Sequence, residues 1–598
     1  MRFLKVVLAS ALGYFLAAIV VIGLFFFIVV GVAASSGKPE VKVPEDGVLN
    51  MKLNYQLLDR VNDDGITEIV SAIDPSVEVP VGLNDILRSI EKAKTDDNIK
   101  GIILDLTSFS AGYGKLSEVR NKLEEFKSSG KFIYSYADYY YFPTYYVASV
   151  ADSVFVNPEG QMSFTGMVAQ VTFFSRALEK LGVKMQAVRA GKFKGAVEAY
   201  TRTNLSPENR KQIDVYINSV FNETLEKISA SRGISIEKLK NDADLLELKS
   251  IEDFVSNKYI DATMYRDQFY STMKKRMGVE DSQKVPLVSE LKYARTLGSN
   301  GSGRDRIAVI YANGDIVGGK GDGSQIASDD MAAVLKKVRL DDRVKSVVFR
   351  INSRGGSSLA SDIIWREAKL LAEEKPLIVS MSDVAASGGY YIATPARKIL
   401  AEPTTITGSI GVFGLIPNAG ELLNDKLGID FDYVGTGQHS DIGRIDRDMT
   451  SEEREYIESV IDNIYNTFIG RVAEGRGMSA EDVHEIAQGR VWTGVMAKEV
   501  GLVDELGGLE EAIALAAEEA NLTEYKVRDY PKYDDVFQSF VNKMQGNASM
   551  KGQLKEMTKN TGFSTYIEHL SSLEKWGVEH SVQAMMPYQI EVKNYSLR

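Results

Sequence analysis

The sequence contains no cysteine, only four histidines and no long run of basic residues. Without cysteine, disulfide bonds, thiolate catalysis and zinc-thiolate sites are excluded, and the chain can function in an oxidising compartment. A formal net charge of -12 without a basic run argues against binding to nucleic acid. The 598 residues, of which 44% are hydrophobic and 25% charged, are enough for two or three folded domains.

A long uncharged segment runs from Val6 to Ala34. It exceeds the ~20 residues that a helix needs to span a bilayer. A cleavable signal peptide is the alternative, but the apolar core is longer than the roughly 7 to 15 residues of such a peptide. Arg2 and Lys5 precede the segment, so the positive-inside rule keeps the N-terminus in the cytoplasm. We therefore predict that residues 1–36 are a cytoplasmic stub and a transmembrane helix retained in the inner (cytoplasmic) membrane, with the rest of the chain on its periplasmic or extracytoplasmic side.

Strand-like apolar runs alternate with amphipathic helical segments, which predicts an α/β layer architecture with largely parallel strands. The second half of the chain repeats the first: Val344 to Ile351 matches Ile99 to Leu106, and Met449 to Arg454 matches Leu205 to Arg210. Because such matches keep their order, we predict an internal duplication, with a Gly- and Ser-rich linker at 297–304 between the halves. The predicted domains are an N-terminal repeat (45–290), a C-terminal repeat (306–530) and a tail (531–598) for packing or oligomer contact.

The stretch from Ser382 to Ile392 follows an apolar run typical of a buried strand and leads into a helical pattern. Ser387 therefore falls in a strand-to-helix turn among alanines and glycines, which let another backbone approach closely. The amide of Gly388, near a helix N-terminus, can donate to an anion. These features suit an acyl-transfer nucleophile, although a tight structural turn has the same composition.

The register of the duplication separates the candidate groups. Two aligned tyrosine pairs give an offset of 390 - 145 = 245, which places Ser387 over Phe142. After one inserted residue the offset is 440 - 194 = 246, which places Ser440 over Lys194. One repeat therefore has the serine without the lysine, and the other has the lysine without the serine.

A serine hydroxyl becomes a nucleophile only when a base takes its proton. A lysine can be that base if desolvation lowers its pKa from about 10.4 to about 7 to 8. Lys194 has the apolar neighbours Phe193, Ala196 and Val197, which suit this role, whereas a solvated surface lysine is the ordinary alternative. His439 adjoins Ser440 and leaves open a Ser-His-Asp triad within the C-terminal repeat. The other three histidines lie in a helical stretch or in the tail, where structural or solvated roles are expected.

Two further turns fit the same chemistry. Gly356 lies in a Gly-rich turn after a predicted strand, and its amide and that of Gly388 can together bind a developing oxyanion. Ser409 lies downstream, where its hydroxyl can hold a neutral lysine amine by a hydrogen bond. Either turn alone is equally consistent with a purely structural role.

Five motifs occur in order along the chain, and they are Gly191-Lys-Phe-Lys-Gly-Ala-Val-Glu198, Ala385-Ala-Ser-Gly-Gly-Tyr-Tyr391, Thr407-Gly-Ser-Ile-Gly411, Gly489-Arg-Val-Trp-Thr-Gly494 and Gly501-Leu-Val-Asp-Glu-Leu-Gly507. With the N-terminal segment, they resemble the signal peptide peptidase A family, also called protease IV, in its long duplicated form. The resemblance spans most of the chain.

The resemblance implies tandem Clp-protease/crotonase-like spiral domains and a serine peptidase that works by a Ser/Lys dyad without metal or cofactor. It implies that Ser387 is the nucleophile, Lys194 the general base and Ser409 the group that orients the lysine. Gly356 and Gly388 would form the oxyanion hole. Short, single-repeat relatives carry serine and lysine in one repeat, so the dyad here would be assembled between the repeats.

The resemblance also implies a ring-like homo-oligomer, such as a homotetramer, that rests on the membrane and degrades signal-peptide remnants and other hydrophobic unfolded peptides. One departure is Arg354, where the family more usually has proline, and it changes the stiffness of that turn but not its amide donors. Two other functions stay open. A crotonase-type acyl-CoA enzyme would share the fold, but CoA is cytoplasmic and the chain carries a predicted export anchor. A catalytically silent membrane scaffold is the other.

Overall fold

A computed structural model describes residues 41–61, 81–106, 110–280, 282–321 and 323–531, with Gly13 and the short strands Val582–Met585 and Glu591–Lys593. The elements of this part of the chain belong to a unit that begins at Glu45. Apart from Gly13, the predicted membrane anchor at 1–36 lies outside the described residues. Within the described residues, no helix combines the length and apolar character that a membrane crossing needs.

Six parallel strands form the sheet of the N-terminal repeat, in the order Leu287–Ser289, Gly47–Met51, Ile99–Leu104, Phe132–Tyr140, Ser153–Met162 and Ala262–Thr263. Its helices are Leu83–Thr95, Tyr113–Phe126, Phe142–Ala148, Ser175–Leu181, Glu198–Thr201, Pro207–Arg232, Ile236–Leu245, Ile251–Ser256, Arg266–Met277 and Glu290–Ala294, with 3-10 turns at Lys127–Ser129 and Gly195–Val197. The central strands are buried along most of their length, as continuous apolar runs in parallel sheets usually are.

Eight strands form the sheet of the C-terminal repeat. A parallel core consists of Lys526–Tyr530, Arg306–Asn313, Val344–Ser353 and Leu377–Ala386, and the last of these pairs with both Lys398–Ala401 and Ile406–Gly408. Glu505–Leu506 and the antiparallel Val491–Thr493 complete the sheet. The helices are Ser328–Arg339, Ser358–Glu374, Gly388–Tyr391, Ser451–Arg476, Ala480–Ile486, Gly494–Glu499 and Leu509–Glu519, with a π-helical turn at Glu421–Lys426. The α/β architecture predicted from the sequence is confirmed.

A third sheet contains strands of both repeats and of the tail, in the order Ile326–Ala327, Ile316–Val317, Gly355–Ser357, Val582–Met585, Val412–Asn418 and Lys184–Ala190. Lys184–Ala190 comes from the N-terminal repeat, and its Val188 and Ala190 pack into the core of the C-terminal repeat. Two small pairs are Leu57–Leu58 with Val81–Gly82, and Val168–Gln170 with Glu591–Lys593. The third sheet therefore carries the chain of one repeat into the other.

The long helices illustrate how closely the repeats correspond. Pro207–Arg232 and Ser451–Arg476 are each 26 residues long. Ser206 and Thr450 cap them by accepting a hydrogen bond from a backbone amide of the first turn, and each helix ends at a glycine in the left-handed conformation. The same sequence signals therefore start and stop the same helix in both repeats.

A buried charged cluster joins the two repeats. The Arg350 side chain, fully buried in a strand of the C-terminal repeat, donates to Asp59 (2.8 Å) and to Glu118 of the N-terminal repeat. Ser382 Oγ donates to Asp59 at 2.6 Å. Burial opposes ionisation of Asp59, but Arg350 and Lys115 still hold its pKa at about 2. The cluster therefore fixes the repeats to each other through ion pairs that water does not reach.

Candidate active site

Ser387 lies between the strand Leu377–Ala386 and the helix Gly388–Tyr391, as the sequence predicts. Its backbone angles, φ 56° and ψ -117°, are those of the first central residue of a type II′ turn. A residue with a Cβ adopts this conformation at a cost of order 1–3 kcal/mol, and such strain is concentrated at functional sites. The Ser387 amide donates to Gly408 O at 2.8 Å, which holds the turn against the next strand.

Lys194 follows the strand Lys184–Ala190, and this strand places the lysine inside the C-terminal repeat. The Phe193 amide donates to Gln488 O at 2.9 Å. The absence of a side chain at Gly489 allows this close approach, because a Cβ there would lie only 2.6 Å from the backbone nitrogen of Lys194. The lysine loop therefore packs directly on backbone of the C-terminal repeat.

The side chains of Lys194, Ser387 and Ser409 meet in one buried cluster, and each residue is 0% exposed. Lys194 Nζ lies 2.7 Å from Ser387 Oγ, 2.9 Å from the Ser409 carbonyl oxygen and 3.2 Å from Ser409 Oγ. The structure thus brings together three of the predicted site residues, from positions far apart in the sequence and from different repeats.

Burial lowers the pKa of the Lys194 amine well below its ordinary value of 10.5. A neutral amine has two N–H donors and one lone pair. The Ser409 carbonyl can only accept, and Ser409 Oγ donates to Gly489 O at 3.4 Å, so it accepts from the lysine. When the amine is neutral, both N–H groups can be directed to Ser409, and the lone pair of the nitrogen then faces Ser387 Oγ.

The two predicted oxyanion-hole glycines lie in adjacent elements. Gly388 starts the helix after Ser387. A Cβ at Gly389 would lie 2.6 Å from Ser353 O, so the start of this helix and the turn that leads to Gly356 touch through their backbones. Gly356 itself pairs with Ile316 on one side and with Ala584 of the tail strand on the other.

Arg354, the residue that departs from the family pattern, lies two positions before Gly356. Its guanidinium pairs with Asp315 at 3.2 Å and 3.3 Å. An ion pair therefore links this turn to Asp315.

Sequence reasoning missed Gln212, which bridges the two repeats beside the lysine. Gln212, 3% exposed on the helix Pro207–Arg232, donates to Phe193 O at 3.0 Å and accepts from the Val491 amide at 3.1 Å. Phe193 adjoins Lys194, and Val491 pairs with Gly408, whose carbonyl holds the Ser387 amide. One carboxamide therefore links the lysine loop to the strand beside the serine turn.

Two more polar residues stand behind Gln212. Its side chain also donates to Asn209 Oδ1, and Asn209 donates to the buried Glu198 carboxylate at 2.7 Å. The sequence gives only a weak signal for this series of hydrogen bonds. Asn209 and Gln212 are two amides three residues apart on an otherwise apolar helix face, and a glutamate lies in the motif that follows Lys194.

The structure does not bring the other candidates to the cluster. His439 and Ser440 lie in an exposed turn, and Ser440 Oγ donates to Gly437 O at 2.9 Å. Phe142, the counterpart of Ser387, is fully buried and packs against Phe164, with ring centroids 5.3 Å apart. The positions that the duplication aligns with the dyad are thus an exposed polar turn and an aromatic core.

Solved structures of two proteases resemble parts of this chain. A mutant of ClpP1 from Listeria monocytogenes is 18% identical with a TM-score of 0.23, and covers 34% of this chain and 94% of its own. A mutant of the 1510-N membrane-bound stomatin-specific protease is 16% identical with a TM-score of 0.27, and covers 39% of this chain and all of its own. TM-scores this low do not establish a shared fold, so the Clp-protease/crotonase-like spiral stays a prediction.

Sequence comparison identifies the family. Peptidase family S49 matches twice, at residues 125–280 and 369–523, once in each repeat. The chain is 34% identical over 543 residues to the chloroplastic serine protease SPPA of Arabidopsis thaliana (88% of this chain, 78% of the relative). It is 35% identical over 484 residues to Protease 4 of Salmonella typhi (79% and 77%), and 32% identical over 295 residues to a putative signal peptide peptidase SppA of Enterococcus faecium (48% and 82%). The chain therefore belongs to peptidase family S49 and is an SppA-type serine peptidase.

Proposed function

We propose that the protein is a membrane-anchored endopeptidase that uses Ser387 as nucleophile and Lys194 as general base, in a dyad assembled between its two repeats. The observation that carries this proposal is the 2.7 Å contact between Lys194 Nζ and Ser387 Oγ inside a fully buried cluster. Because burial lowers the pKa of this amine well below 10.5, the amine can act as a base at lower pH than a solvated lysine.

Acylation begins when Ser387 Oγ attacks the scissile carbonyl carbon. The hydroxyl proton passes to Lys194 Nζ as the bond forms, and the carbonyl oxygen becomes an oxyanion that accepts from the amides of Gly356 and Gly388. When the tetrahedral intermediate collapses, the C–N bond breaks and Lys194 returns the proton to the leaving amine. An ester of Ser387 remains.

Deacylation uses the same groups in the same order. Lys194 takes a proton from a water molecule, and the resulting hydroxide attacks the ester carbonyl. Collapse of the second intermediate releases the carboxylic acid product, and the proton on Lys194 returns to Ser387 Oγ. Throughout, Ser409 orients the amine by accepting hydrogen bonds from two of its N–H groups.

The tail strand supports a peptide substrate in extended conformation. Val582–Met585 lies between Gly355–Ser357 and Val412–Asn418 and is antiparallel to both. A substrate can take the same slot by strand addition, with main-chain hydrogen bonds to both neighbours. In that position it passes Gly356, so its carbonyls come close to the proposed oxyanion hole.

The proposed setting is the inner (cytoplasmic) membrane, crossed once with the N-terminus in the cytoplasm and the repeats on the periplasmic or extracytoplasmic side. The uncharged run from Val6 to Ala34 supports the anchor. The proposed substrates are cleaved signal peptides and other hydrophobic unfolded peptides, and the proposed assembly is a homotetramer. The name of the Enterococcus faecium relative, a putative signal peptide peptidase, supports this substrate class.

Hydrolysis of a quenched fluorescent peptide with the apolar sequence of a signal peptide tests the proposal. Ser387→Ala and Lys194→Ala should each lower kcat by about 10⁴-fold or more, as loss of a dyad member does in serine peptidases. Ser440→Ala, at the position that the duplication aligns with Lys194, is the matched control and should retain full activity. Activity retained in either dyad variant would remove that residue from the mechanism.

A further inference from the structure

Two side chains hold the backbone on either side of Lys194. Gln212 Nε2 donates to Phe193 O at 3.0 Å. Arg189 Nη1 donates to Lys194 O at 3.3 Å. These carbonyls belong to the two peptide units that flank the lysine Cα. Holding both of them fixes the direction in which the lysine side chain leaves the backbone toward Ser387.

Both of these contacts lead to one oxygen of Glu198. Arg189 Nη1 also donates to Glu198 Oε1 at 3.3 Å. On the other side, Gln212 Nε2 donates to Asn209 Oδ1. Asn209 Nδ2 in turn donates to the same Glu198 oxygen at 2.7 Å. The carboxylate is therefore joined to one flanking carbonyl through one residue and to the other through two.

The charge of Glu198 sets the orientation of both amides in this series. An ionised carboxylate can only accept, so the NH2 group of Asn209 must face it and Asn209 Oδ1 must face Gln212. The NH2 group of Gln212 then points to Asn209 Oδ1 and Phe193 O. Its Oε1 is left to accept from the Val491 amide at 3.1 Å. A side chain at position 198 that both donates and accepts would leave either orientation open.

The carboxylate keeps its charge although it is buried. Glu198 is 1% exposed, and burial by itself raises the pKa of its carboxyl group. Hydrogen bonds from Ser206, Asn209 and Arg189 outweigh burial and hold this pKa below its ordinary value of 4.5. A hydrogen bond to an ionised carboxylate is roughly twice as strong as one between neutral groups. Glu198 is therefore the strongest acceptor in the series.

The C-terminal repeat places its equivalent carboxylate elsewhere. There Glu453, three residues after the helix cap Thr450, accepts from the Thr450 amide at 2.8 Å, as in an ordinary capping box. In the N-terminal repeat the residue three positions after the cap Ser206 is Asn209, and the Ser206 amide donates instead to Glu198 at 2.9 Å. The carboxylate that accepts from this cap thus comes from the motif that contains the lysine, and it ties the helix to that motif.

The carboxylate and the lysine also occur together. The offset that relates Lys194 to the C-terminal repeat places Arg444 over Glu198 (444 - 198 = 246). Arg444 Nε donates to Asp446 of its own turn at 2.7 Å. The repeat that lacks the lysine therefore carries the opposite charge at this position, whereas the repeat with the lysine has the carboxylate.

We infer that Glu198 is a positioning residue, whose carboxylate holds the two carbonyls that flank Lys194 and so aims the lysine amine at Ser387. It acts on the amine through Arg189 and the two amides, so its role is to place the base and not to take part in the chemistry. The inference rests on the proposed function, since a residue that aims Lys194 affects catalysis only if Lys194 is the general base.

Positioning and a direct effect of the charge change the pKa of Lys194 in opposite directions. Burial is what lowers this pKa below 10.5, so a loosened loop that admits water to the amine should raise it again. Loss of a nearby negative charge should instead lower it, because the protonated amine loses a counter-charge. The sign of the shift therefore tells the two roles apart.

Glu198→Gln in the full-length protein in detergent is the first test, with hydrolysis of the quenched fluorescent peptide followed as a function of pH. The substitution keeps the shape of the side chain but turns an NH2 group toward groups that donate. We expect kcat to fall roughly 10- to 100-fold, with KM within about twofold of the wild-type value. The midpoint of the kcat/KM profile should move to higher pH.

Asn209→Ala tests the same inference without a change of charge. It cuts the link between Glu198 and Gln212 and introduces the best helix former, so the long helix should still form. The midpoint should again move to higher pH. Because the contact through Arg189 remains, kcat should fall less than in Glu198→Gln, by about 3- to 30-fold.

Glu453→Gln is the matched control. Glu453 is buried and accepts from the cap of the equivalent helix, and it also pairs with Arg447 at 2.7 Å. The variant should lower the thermal unfolding temperature and leave kcat, KM and the midpoint at their wild-type values. A purely structural role of Glu198 would give this same result in Glu198→Gln.

The inference is wrong if Glu198→Gln keeps the wild-type kcat and midpoint, or if its midpoint moves to lower pH. It is also wrong if Asn209→Ala, which decides the matter should Glu198→Gln not fold, leaves the midpoint unchanged. Lys194→Ala separates these results from a failure of the proposed function. If Lys194→Ala stays active, the general base is another group. If it is inactive and Glu198→Gln behaves as wild type, only the positioning role is lost.

Discussion

Lys194 Nζ and Ser387 Oγ lie 2.7 Å apart although 193 positions separate them in the chain. The contact forms because the strand Lys184–Ala190 leaves its own repeat and pairs with Val412–Asn418 of the other. Each repeat supplies one partner of the pair, and the two side chains meet where the repeats are in contact. Any change that shifts one repeat against the other should therefore affect catalysis before it affects either core.

Peptidase activity should rise with pH through the pKa of Lys194 and then level off. The protonated amine cannot accept the Ser387 proton, so kcat/KM is low where the lysine is charged and maximal where it is neutral. Because burial holds this pKa well below 10.5, the plateau should be reached well before pH 10.5. Measuring kcat/KM on a quenched fluorescent peptide as a function of pH gives the midpoint of the rise and the start of the plateau.

Lys192→Met serves as the control for this profile. Lys192 is exposed two positions from Lys194, so removing its charge should leave the midpoint nearly unchanged. A wild-type profile that rises only near pH 10.5 would mean that the lysine in the active enzyme is solvated.

Gln212→Leu should lower kcat by roughly 10- to 100-fold with little change in KM. The substitution leaves Phe193 O and the Val491 amide without their partner, which costs about 1–3 kcal/mol and loosens the lysine loop. Gln212→Glu keeps the acceptor for the Val491 amide but turns a carboxylate oxygen toward Phe193 O and Asn209 Oδ1, which both accept, so we expect its kcat to fall at least as far as that of Gln212→Leu. Lys211→Ala, exposed on the same helix, is the control.

The pH profile distinguishes positioning by Gln212 from a merely structural role. A displaced lysine loop changes the burial of the amine, so the midpoint of kcat/KM in Gln212→Leu should shift. A variant that loses thermal stability but keeps the wild-type kcat and midpoint would show that Gln212 only supports the fold.

Arg350→Met should destabilise the protein by about 3–5 kcal/mol, because Asp59 and Glu118 would remain buried without their counter-charge. Arg397→Met is the matched control: Arg397 is 60% exposed, and its pair with Glu519 is worth about 0–1 kcal/mol. Urea unfolding of both variants gives the two free energies. Equal losses would show that the buried cluster does not hold the repeats together.

Deleting residues 582–598 should lower KM for peptides and leave kcat unchanged, because Val582–Met585 occupies the slot between Gly355–Ser357 and Val412–Asn418. Deleting 586–598 instead removes Glu591–Lys593 and keeps the strand in the slot, so its KM should stay at the wild-type value. If both truncations give the wild-type KM, substrate does not compete with the tail for this slot.

Much of the candidate site follows from the sequence because duplication is a strong constraint. Aligning the repeats places Ser387 over Phe142 and Lys194 over Ser440, so each half is incomplete, and the structure brings the two side chains together. The roles of the five site residues stay predictions, as do the domain limits. The turn at Ser387 was predictable from its small residues after a buried strand.

Other features could not be predicted because they depend on contacts distant in sequence. The strand that ends at Ala386 is longer than the apolar run that predicts it, since Ser382 finds a partner in Asp59 of the other repeat. For the tail the sequence predicts only packing or oligomer contact, yet Val582–Met585 forms a strand between Gly355–Ser357 and Val412–Asn418. In the sequence Gln212 looks like an ordinary polar residue of a helix. Its role follows only from its two partners, Phe193 O and the Val491 amide, which the structure shows.

The rate at which a fluorophosphonate labels Ser387 tests the division of the dyad between the repeats most directly. In the wild-type protein, mass spectrometry should find the label on Ser387, with a rate that rises with pH to the plateau of the peptidase profile. Lys194→Met replaces the amine by an apolar side chain of similar length. In this variant labelling should slow by about 10³-fold or more, while thermal unfolding shows that the protein is folded. Labelling of Ser387 at an unchanged rate in Lys194→Met would contradict the account, because the serine would then be activated by a group other than the lysine of the N-terminal repeat.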